Sequence, residues 1–460
     1  MSDRSYPSFG FVSPRNMGLL TDLYELVMAD SYLREGMNET AVFDLFVRSL
    51  PPRRAFLVSA GLESALSYLQ SLRVEEEQIA YLRGLRLFSD AFLDYLRAFR
   101  FTGEVWAIPE GEIFFPPEPV LEVIAPRIEA QIVETFLLNA LNYQVMVASK
   151  AARVVLAARG RGVIDFSPRR DHGADAALKA ARAAYVAGCA GTSNVLAGME
   201  YGIPVYGTMA HSYVMSFPDE LAAFRAFVRD FPGNAILLID TYDTLQGARN
   251  AVTVAQEMAG RGERLRGVRI DSGDLAALSR QVRAIFDEAA LTDVQIILTG
   301  DLDEYRIEQI LAHQAAADAF GVGTALGTSE DAPTMGGVYK LVEDRGGPKI
   351  KLSTGKATLP GRKQVWRRHT PEGPRDLIAL ADEPMAPGAG ALLVKVMEGG
   401  RAIAPEPLER MRQRCQDALG RLPEPLTDLR TAPPSPVSLS ARLEALRAEM
   451  FQKNETRRRP

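Results

Sequence analysis

Cysteine and histidine are scarce in this chain of 460 residues, which contains two cysteines and four histidines. The cysteines, Cys189 and Cys415, lie far apart in the sequence. This excludes a disulfide scaffold and a cysteine-rich zinc module, and it suits a reducing cytoplasm, where we expect the protein to reside. The histidines available for catalysis are His172, His211, His313 and His369.

The chain also lacks long apolar runs and an excess of positive charge. No run of about 18 apolar residues occurs, so we expect no membrane span. The start of the chain, from Met1 to Asn16, has no apolar signal-peptide core. The net charge of -5 argues against a nucleic-acid binder but leaves room for an anionic small molecule in a locally basic pocket. Neither a P-loop nor a His/Cys metal pattern is present.

The length predicts two or three domains. Residues 1–150 mix helical and strand patterns and are expected to form an α+β domain, with one helix at 22–34. Residues 151–340 are expected to form an α/β barrel. Residues 341–460 are expected to pack on the N-terminal domain, with a proline-rich connection at 405–436, a final helix and a basic tail, Arg457 to Arg459.

Six short apolar runs recur through the middle of the chain, separated by helical patterns such as those at 174–187 and 244–258. This spacing is typical of βα units, and six units in series predict an α/β barrel, complete or incomplete, rather than an open doubly wound sheet. The predicted strands are 163–166, 203–206, 236–240, 267–271, 295–299 and 319–323.

Each predicted strand is followed by charged, hydroxyl or glycine residues. In α/β barrels the active site lies at the carboxyl ends of the strands. Polar residues in any one of these loops could be an ordinary feature of a loop, but their recurrence after all six predicted strands predicts an active site at one rim. The loops are 166–170, 207–212, 240–243, 271–274, 300–301 and 321–324.

Two pairs of charged residues on this rim have definite chemical uses. Arg169 and Arg170 provide planar guanidinium groups suited to a carboxylate or a phosphate. An ion pair with a nearby aspartate is the alternative for one of them. Asp271 and Asp274 could hold ribose hydroxyls or Mg2+, while Asp274 also occupies a position typical of a helix N-cap.

The other rim residues favour a phosphorylated substrate. Gly321 and Gly323 let backbone N–H groups approach an anion closely. His211 follows a predicted strand beside Thr208 and Ser212, a position that favours a functional role over a structural one. Arginines, acidic ribose ligands and a glycine phosphate cradle together predict a phosphorylated sugar substrate.

Six ordered motifs resemble those of the nicotinate phosphoribosyltransferase family over most of the chain. The resemblance implies an irregular, incomplete α/β barrel of the type II phosphoribosyltransferase kind, plus an α+β domain formed by the N- and C-terminal segments. The motifs are Leu19 to Leu26, Gly191 to Asn194, Gly207 to Ser212, Arg269 to Asp274, Phe320 to Thr324, and Lys351 to Ser353 with Thr358 to Gly361.

The resemblance also implies a reaction. Nicotinate and phosphoribosyl pyrophosphate would give nicotinate mononucleotide and pyrophosphate, a step of NAD salvage, with Mg2+ accompanying the pyrophosphate. Family members couple this step to ATP hydrolysis through a phosphohistidine, which maps onto His211. Phosphoryl transfer to the protein can change its affinity for substrate, so binding energy can be used differentially during turnover.

The residue roles carry over by motif, and the resemblance implies a homodimer with shared active sites. Phe166 is expected to stack on one face of the pyridine ring and Tyr24 of a neighbouring subunit on the other. The expected catalytic residues are His211, Asp271 and Arg169. The expected substrate-binding residues are Tyr24, Phe166, Arg170, Thr208, Ser212, Asp240, Asp274, Gly321, Gly323 and Thr324.

One motif departs from the family pattern. The family usually has Phe-Gly-x-Arg-Arg, whereas this chain has Ser167 and Pro168 between Phe166 and Arg169. Proline fixes φ and removes an N–H, which puts the fine geometry of the ring pocket in question. A nicotinamide or quinolinate enzyme and a non-catalytic nucleotide-binding member are the alternatives. The intact His211 weighs against the last of these.

Overall fold

In this computed structural model the protein is described over residues 12–352, 358–385 and 387–458. Two predicted features reach beyond this part of the chain. Ser353, in the sixth motif, and Arg459, in the expected basic tail, lie outside the described residues.

The N-terminal part alternates helices with antiparallel strands, as its mixed pattern predicts. The first helix begins at Leu23 and ends at Arg34, close to its predicted bounds. The helices are α1 (Leu23–Arg34), α2 (Leu62–Ser71), α3 (Glu76–Leu85), α4 (Asp90–Arg97), α5 (Arg127–Ile132) and α6 (Glu134–Ala157), after a 3-10 turn at Met17–Leu19. The strands are β1 (Thr40–Val47), β2 (Leu57–Val58), β3 (Glu104–Ala107), β4 (Ile113–Phe114) and β5 (Pro119–Pro126).

The middle of the chain forms a six-stranded parallel sheet with helices between its strands. The strand order is β7-β6-β11-β10-β9-β8, and no pairing joins β7 to β8 among the described residues, so the barrel is incomplete as expected. The strands are β6 (Gly162–Asp165), β7 (Gly191–Thr192), β8 (Ile236–Leu238), β9 (Gly267–Ile270), β10 (Gln295–Leu298) and β11 (Ala319–Val322). The helices are α7 (Ala174–Val186), α8 (Val195–Tyr201), α9 (His211–Met215), α10 (Glu220–Asp230), α11 (Thr244–Ala259), α12 (Leu275–Glu288), α13 (Glu304–Ala312) and α14 (Thr324–Gly327), with a 3-10 turn at Pro232–Asn234.

One of the six predicted strands is wrong. Residues 203–206 form only an isolated bridge, in which Val205 pairs with Thr192, and the strand at this position is β7. Pro204 has no N–H to donate to a ladder. Its carbonyl accepts from Thr192 N at 3.0 Å, and Tyr206 N donates back to Thr192 O at 2.9 Å.

The C-terminal part returns to the N-terminal sheet. Its order, β13-β12-β1-β5-β3-β17-β18, places C-terminal strands on both sides of N-terminal ones, which confirms the expected α+β unit. The strands are β12 (Gly337–Asp344), β13 (Gly347–Pro348), β14 (Lys363–Thr370), β15 (Gly373–Leu380), β16 (Gly390–Ala391), β17 (Val394–Glu398), β18 (Arg401–Ala402) and β19 (Val437–Leu439). The helices are α15 (Leu408–Gly420), α16 (Glu424–Thr427) and α17 (Ala441–Arg458).

The proline-rich segment 405–436 is not a plain connection, because it contains α15 and α16. Two of its prolines, Pro407 and Pro423, lie at the N-cap positions of these helices. Proline is tolerated there because the first N–H groups of a helix have no partner within it. Met411 and Cys415 of α15 are buried.

Helix α6 joins the two halves of the molecule. Val145 belongs to the apolar core of the N-terminal part, whereas Val147 belongs to the core of the barrel. The predicted domain limits near residues 150 and 340 fall within α6 and β12, and these limits stay a prediction. Among the described residues, no helix combines the length and the apolar character that a membrane span requires.

Candidate active site at the carboxyl edge of the parallel sheet

The strands of the parallel sheet end level with one another. Asp165 of β6 pairs with Val322 of β11, and Ile270 of β9 pairs with Leu298 of β10. Because parallel strands share one direction, the residues after their carboxyl ends meet at one edge of the sheet. The residues brought to this edge include Phe166, Asp240, Asp271, Thr299 and Gly323.

Two of the predicted acidic residues form a connected pair. Asp240 Oδ2 accepts hydrogen bonds from Asp271 N at 2.9 Å and from Ser272 Oγ at 2.7 Å. The Thr299 hydroxyl donates to Asp271 Oδ1. Asp240 Oδ1 is buried and has no partner among the described residues. These hydrogen bonds fix the positions of both carboxylates, and their remaining lone pairs can accept hydrogen bonds from a ligand.

His211 stands at the first position of α9, facing this pair. Its Nδ1 lies 3.2 Å from Thr241 Oγ1, and its Nε2 lies 3.9 Å from Asp271 Oδ2. The imidazole is 40% exposed, so a ligand can reach it. The structure thus brings together His211, from the segment after the bridge at Val205, and Asp271, from the loop after β9.

The two predicted arginines lie on the turn that follows β6. Arg169 and Arg170 are exposed and follow β6 in a tight turn, where Arg170 N donates to Ser167 O at 2.6 Å. Neither guanidinium group forms an ion pair with any described residue. The alternative of an ion pair with a nearby aspartate is therefore wrong for the described part of the chain. Two unpaired cations on one turn suit an anionic ligand.

Phe166 lies against Gly321 in the neighbouring strand. A Cβ at Gly321 would come within 2.5 Å of the Phe166 ring and 2.6 Å of Thr299 Cγ2. Since real Cβ atoms do not approach so closely, glycine is required here for packing. This gives Gly321 a steric role that differs from the anion contact expected of it.

The remaining predicted residues lie on loops or at helix starts near this edge. Gly323 precedes α14, and Thr324 is its exposed first residue. Asp274 caps α12 by accepting from Ala277 N at 3.0 Å, as its position predicts. The other two, Thr208 and Ser212, flank His211 in sequence with partly or fully exposed side chains.

Arg269 is a candidate that the sequence reasoning missed. Its Nη2 donates to Met209 O at 3.0 Å, while its buried Nε has no partner among the described residues. Burial lowers the pKa of Arg269, although Asp271 and Asp240 counteract this. A lone charged residue within the apolar run Gly267 to Ile270 was the available signal.

Tyr24 lies apart from the other predicted residues. It belongs to α1, where burial and then the neighbouring carboxylates of Glu134 and Glu25 raise its pKa. No hydrogen bond or ring contact joins Tyr24 to the sheet edge within the described part of the chain. Its side chain is exposed together with those of Leu23 and Val27.

Comparison with known proteins gives matches along most of the chain. Residues 19–142 match the model of the nicotinate phosphoribosyltransferase N-terminal domain, and residues 162–343 match that of the nicotinate phosphoribosyltransferase family. The chain is 48% identical over 429 residues to nicotinate phosphoribosyltransferase pncB2 of Mycobacterium tuberculosis, covering 92% of each protein.

Two further relatives agree. The chain is 43% identical to nicotinate phosphoribosyltransferase of Bacillus subtilis, covering 80% of this chain and 77% of that protein. The crystal structure of human nicotinic acid phosphoribosyltransferase superposes with a TM-score of 0.84 at 30% identity, covering 94% of this chain and 100% of that one. The chain therefore belongs to the nicotinate phosphoribosyltransferase family.

Proposed function

We propose that this chain forms nicotinate mononucleotide and pyrophosphate from nicotinate and phosphoribosyl pyrophosphate, in NAD salvage. The carrying observation is identity of 43–48% with nicotinate phosphoribosyltransferases over most of the chain. The predicted anion-binding and acidic side chains, meanwhile, stand at one sheet edge. Binding alone would not require this set together with an exposed histidine.

The substrate roles follow from the chemistry of each side chain. The Phe166 ring offers an aromatic face to the pyridine ring. Arg169 and Arg170 offer charge-assisted bonds to the nicotinate carboxylate or the substrate phosphates. The open oxygens of Asp271 suit ribose hydroxyls. Gly323, through its backbone N–H, and Thr324, through its hydroxyl, suit the 5′-phosphate.

The bond change at the sugar needs no protein nucleophile. The pyridine nitrogen forms a bond to C1 of the ribose as the C1–oxygen bond to pyrophosphate breaks. Positive charge develops on the sugar ring, and the leaving group carries the negative charge. Arg169 would stabilise that negative charge, and the rigid edge would align the two substrates.

His211 is the proposed phosphoacceptor in ATP coupling. One imidazole nitrogen would form a bond to the terminal phosphorus of ATP as the bond to ADP breaks. Asp271 beside Nε2 favours the tautomer with its proton there, which leaves the Nδ1 lone pair beside Thr241. The exposure of the ring supports access by the nucleotide.

The acidic pair also fits Mg2+ brought by pyrophosphate. Asp240, next to Asp271, has a buried oxygen with no partner in the described part of the chain. Mg2+ commonly binds one or two carboxylates plus substrate phosphates. No group of three or more His, Cys, Asp or Glu suited to a metal occurs in the part of the chain that the structure describes. The ion would supply charge neutralisation on the leaving group.

The proposed homodimer is supported by two exposed apolar surfaces. One is on α1 and includes Leu23, Tyr24 and Val27; the other is on α8 beside the site and includes Val195 and Met199. Exposed apolar surfaces of this kind mark interaction sites. If Tyr24 completes a neighbour's pocket, mixing inactive Tyr24→Ala and Asp271→Ala proteins should restore activity through hybrids. No recovery despite proven subunit exchange would contradict this.

The decisive experiment is a product assay with nicotinate, nicotinamide and quinolinate in parallel, with and without ATP. We expect nicotinate mononucleotide from nicotinate, and a higher rate or yield with ATP. Preference for nicotinamide or quinolinate would point to the corresponding enzyme. Nucleotide binding without product from any of the three would indicate a non-catalytic member.

A further inference from the structure

The departure from the family motif creates a buried polar network behind the two arginines. Ser167 is fully buried; its N–H donates to Asp165 Oδ1 at 2.9 Å and its Oγ to Asp171 Oδ2 at 3.0 Å. Asp165 Oδ2 in turn accepts from Thr192 Oγ1 at 2.7 Å. Through its N–H and hydroxyl, Ser167 therefore links two carboxylates that would otherwise repel one another.

The same residues close the turn that presents the guanidinium groups. Ser167 O accepts from Arg170 N at 2.6 Å and from Asp171 N at 3.2 Å. Pro168 occupies the second position of this turn, where its fixed φ is favourable and its missing N–H is not needed. Ser167 has no left-handed backbone conformation, so serine replaces the usual glycine without strain.

Asp171 also touches the helix that follows the expected phosphate loop. A Cβ at Gly327, the last residue of α14, would overlap Asp171 Oδ1 and lie 2.5 Å from Ser167 Cβ. Asp171 Oδ1 is buried and has no hydrogen-bond partner among the described residues. The carboxylate thus seats the arginine turn directly against α14.

We propose that Ser167 and Asp171 are positioning residues, which fix Arg169 and Arg170 relative to α14 for the anionic groups of the substrate. Ser167 is fully buried and Asp171 is partly buried with its Oδ1 enclosed, whereas both arginines are exposed, so Ser167 and Asp171 act through the arginines. Free guanidinium groups on long side chains lose entropy on binding, and a fixed turn reduces that loss. The proposal rests on the proposed function.

Steady-state kinetics of Ser167→Ala, Asp171→Ala and the double variant test the proposal. We expect the KM for nicotinate or phosphoribosyl pyrophosphate to rise by about fivefold in each single variant, with kcat within about twofold. The double variant should be no worse than the singles, because all three remove the same hydrogen bond. An unchanged KM, or strictly additive effects, would overturn the proposal.

Further variants separate positioning from general damage. Asp171→Asn keeps an acceptor for the Ser167 hydroxyl and should retain a KM near that of the wild type. Gly327→Ala should displace Asp171 and raise the KM, and Asp175→Ala, at an exposed carboxylate nearby, is the matched control. Ser167→Gly, which restores the usual family residue, replaces any variant that fails to fold. It should show the same rise in KM.

The two proposals fail in different ways. A wild-type protein that forms no nicotinate mononucleotide would overturn the proposed function and the positioning role with it. An active wild type whose Ser167→Ala and Asp171→Ala variants keep their KM would overturn the positioning role alone. A rise in KM for Asp171→Asn as large as for Asp171→Ala would also overturn it.

Discussion

Two loops on the same sheet edge are held in opposite ways. The arginine loop, residues 167–171, is held by its own residues: the Ser167 hydroxyl donates to Asp171, and the Ser167 carbonyl accepts from Arg170 N and Asp171 N. The histidine segment, residues 207–215, is held by side chains from other segments, since Arg269 donates to Met209 O and Asn234 donates to Gly207 O.

The difference matches what each loop is proposed to do. A loop that only binds anions gains from being fixed before the ligand arrives. A residue that accepts a phosphoryl group must stay accessible, and His211 is 40% exposed. On this proposal the rigid half of the edge binds the anionic substrates, and the open half carries the covalent chemistry.

The largest effect is expected when His211, in the open half of the edge, is replaced. His211→Ala should reduce nicotinate-dependent ATP hydrolysis by more than about a hundredfold, because no phosphoacceptor remains. The assay measures ADP release with and without nicotinate. His172→Ala, at an exposed histidine just past the arginine loop, is the control and should behave as the wild type. Unchanged coupling in His211→Ala would remove the assignment.

The second largest effect is expected when the two arginines of the rigid half are replaced. Replacing Arg169 and Arg170 together by alanine should raise the KM for nicotinate or phosphoribosyl pyrophosphate by more than about tenfold, since a charge-assisted contact contributes about 1.5–3 kcal/mol. Initial rates over a range of each substrate measure it. Arg264→Ala, at an exposed arginine of a distant loop, is the control. The same KM for both substrates would refute the role.

The smallest effect concerns pH and sharpens the comparison. Burial and then Asp165 raise the pKa of Asp171 to about 7, with the Ser167 hydrogen bond opposing. Below about pH 4 this carboxyl group is protonated in both the folded and the unfolded protein. As the pH rises towards 7, the group ionises freely only in the unfolded protein, so the free energy of unfolding falls.

Between pH 5 and pH 8, the Tm of Asp171→Asn should therefore fall by about 2 °C less than the Tm of the wild type. Differential scanning calorimetry at the two pH values measures the change. Asp175→Asn, at an exposed carboxylate, is the control and should leave the pH dependence as it is in the wild type. Equal pH dependence in Asp171→Asn and the wild type would contradict a titrating, buried Asp171.

Much of the site was predictable because it follows a repeating pattern. The pattern of apolar runs followed by polar loops predicted that His211 and Asp271 share one rim, and the structure brings them within 3.9 Å although the run before His211 is not a strand. The failures have local causes. Residues 203–206 look like a strand by composition, but Pro204 cannot donate to a ladder. Segment 405–436 looks like a connection by proline content, yet two of its prolines, Pro407 and Pro423, lie at helix starts.

Other features depend on contacts between distant residues. Gly321 looks like a phosphate ligand in the sequence, and only the register of β6 with β11 shows that it makes room for Phe166. Ser167 looks like a defect in a motif until its hydroxyl is seen to bind Asp171. Periodicity carries no information on which side chain meets a given glycine.

The sequence by itself determined the class of fold, the edge of the sheet that carries the site and the residue types gathered there. Backbone periodicity and chain direction are local properties, and they bring the ends of parallel strands together whatever the side chains do. Only the tertiary structure decided which side chains are free and which are held: Ser167 is buried, His211 is open, and Arg169 has no ion-pair partner among the described residues. Burial and partners arise from packing between segments far apart in the chain, so no local pattern records them.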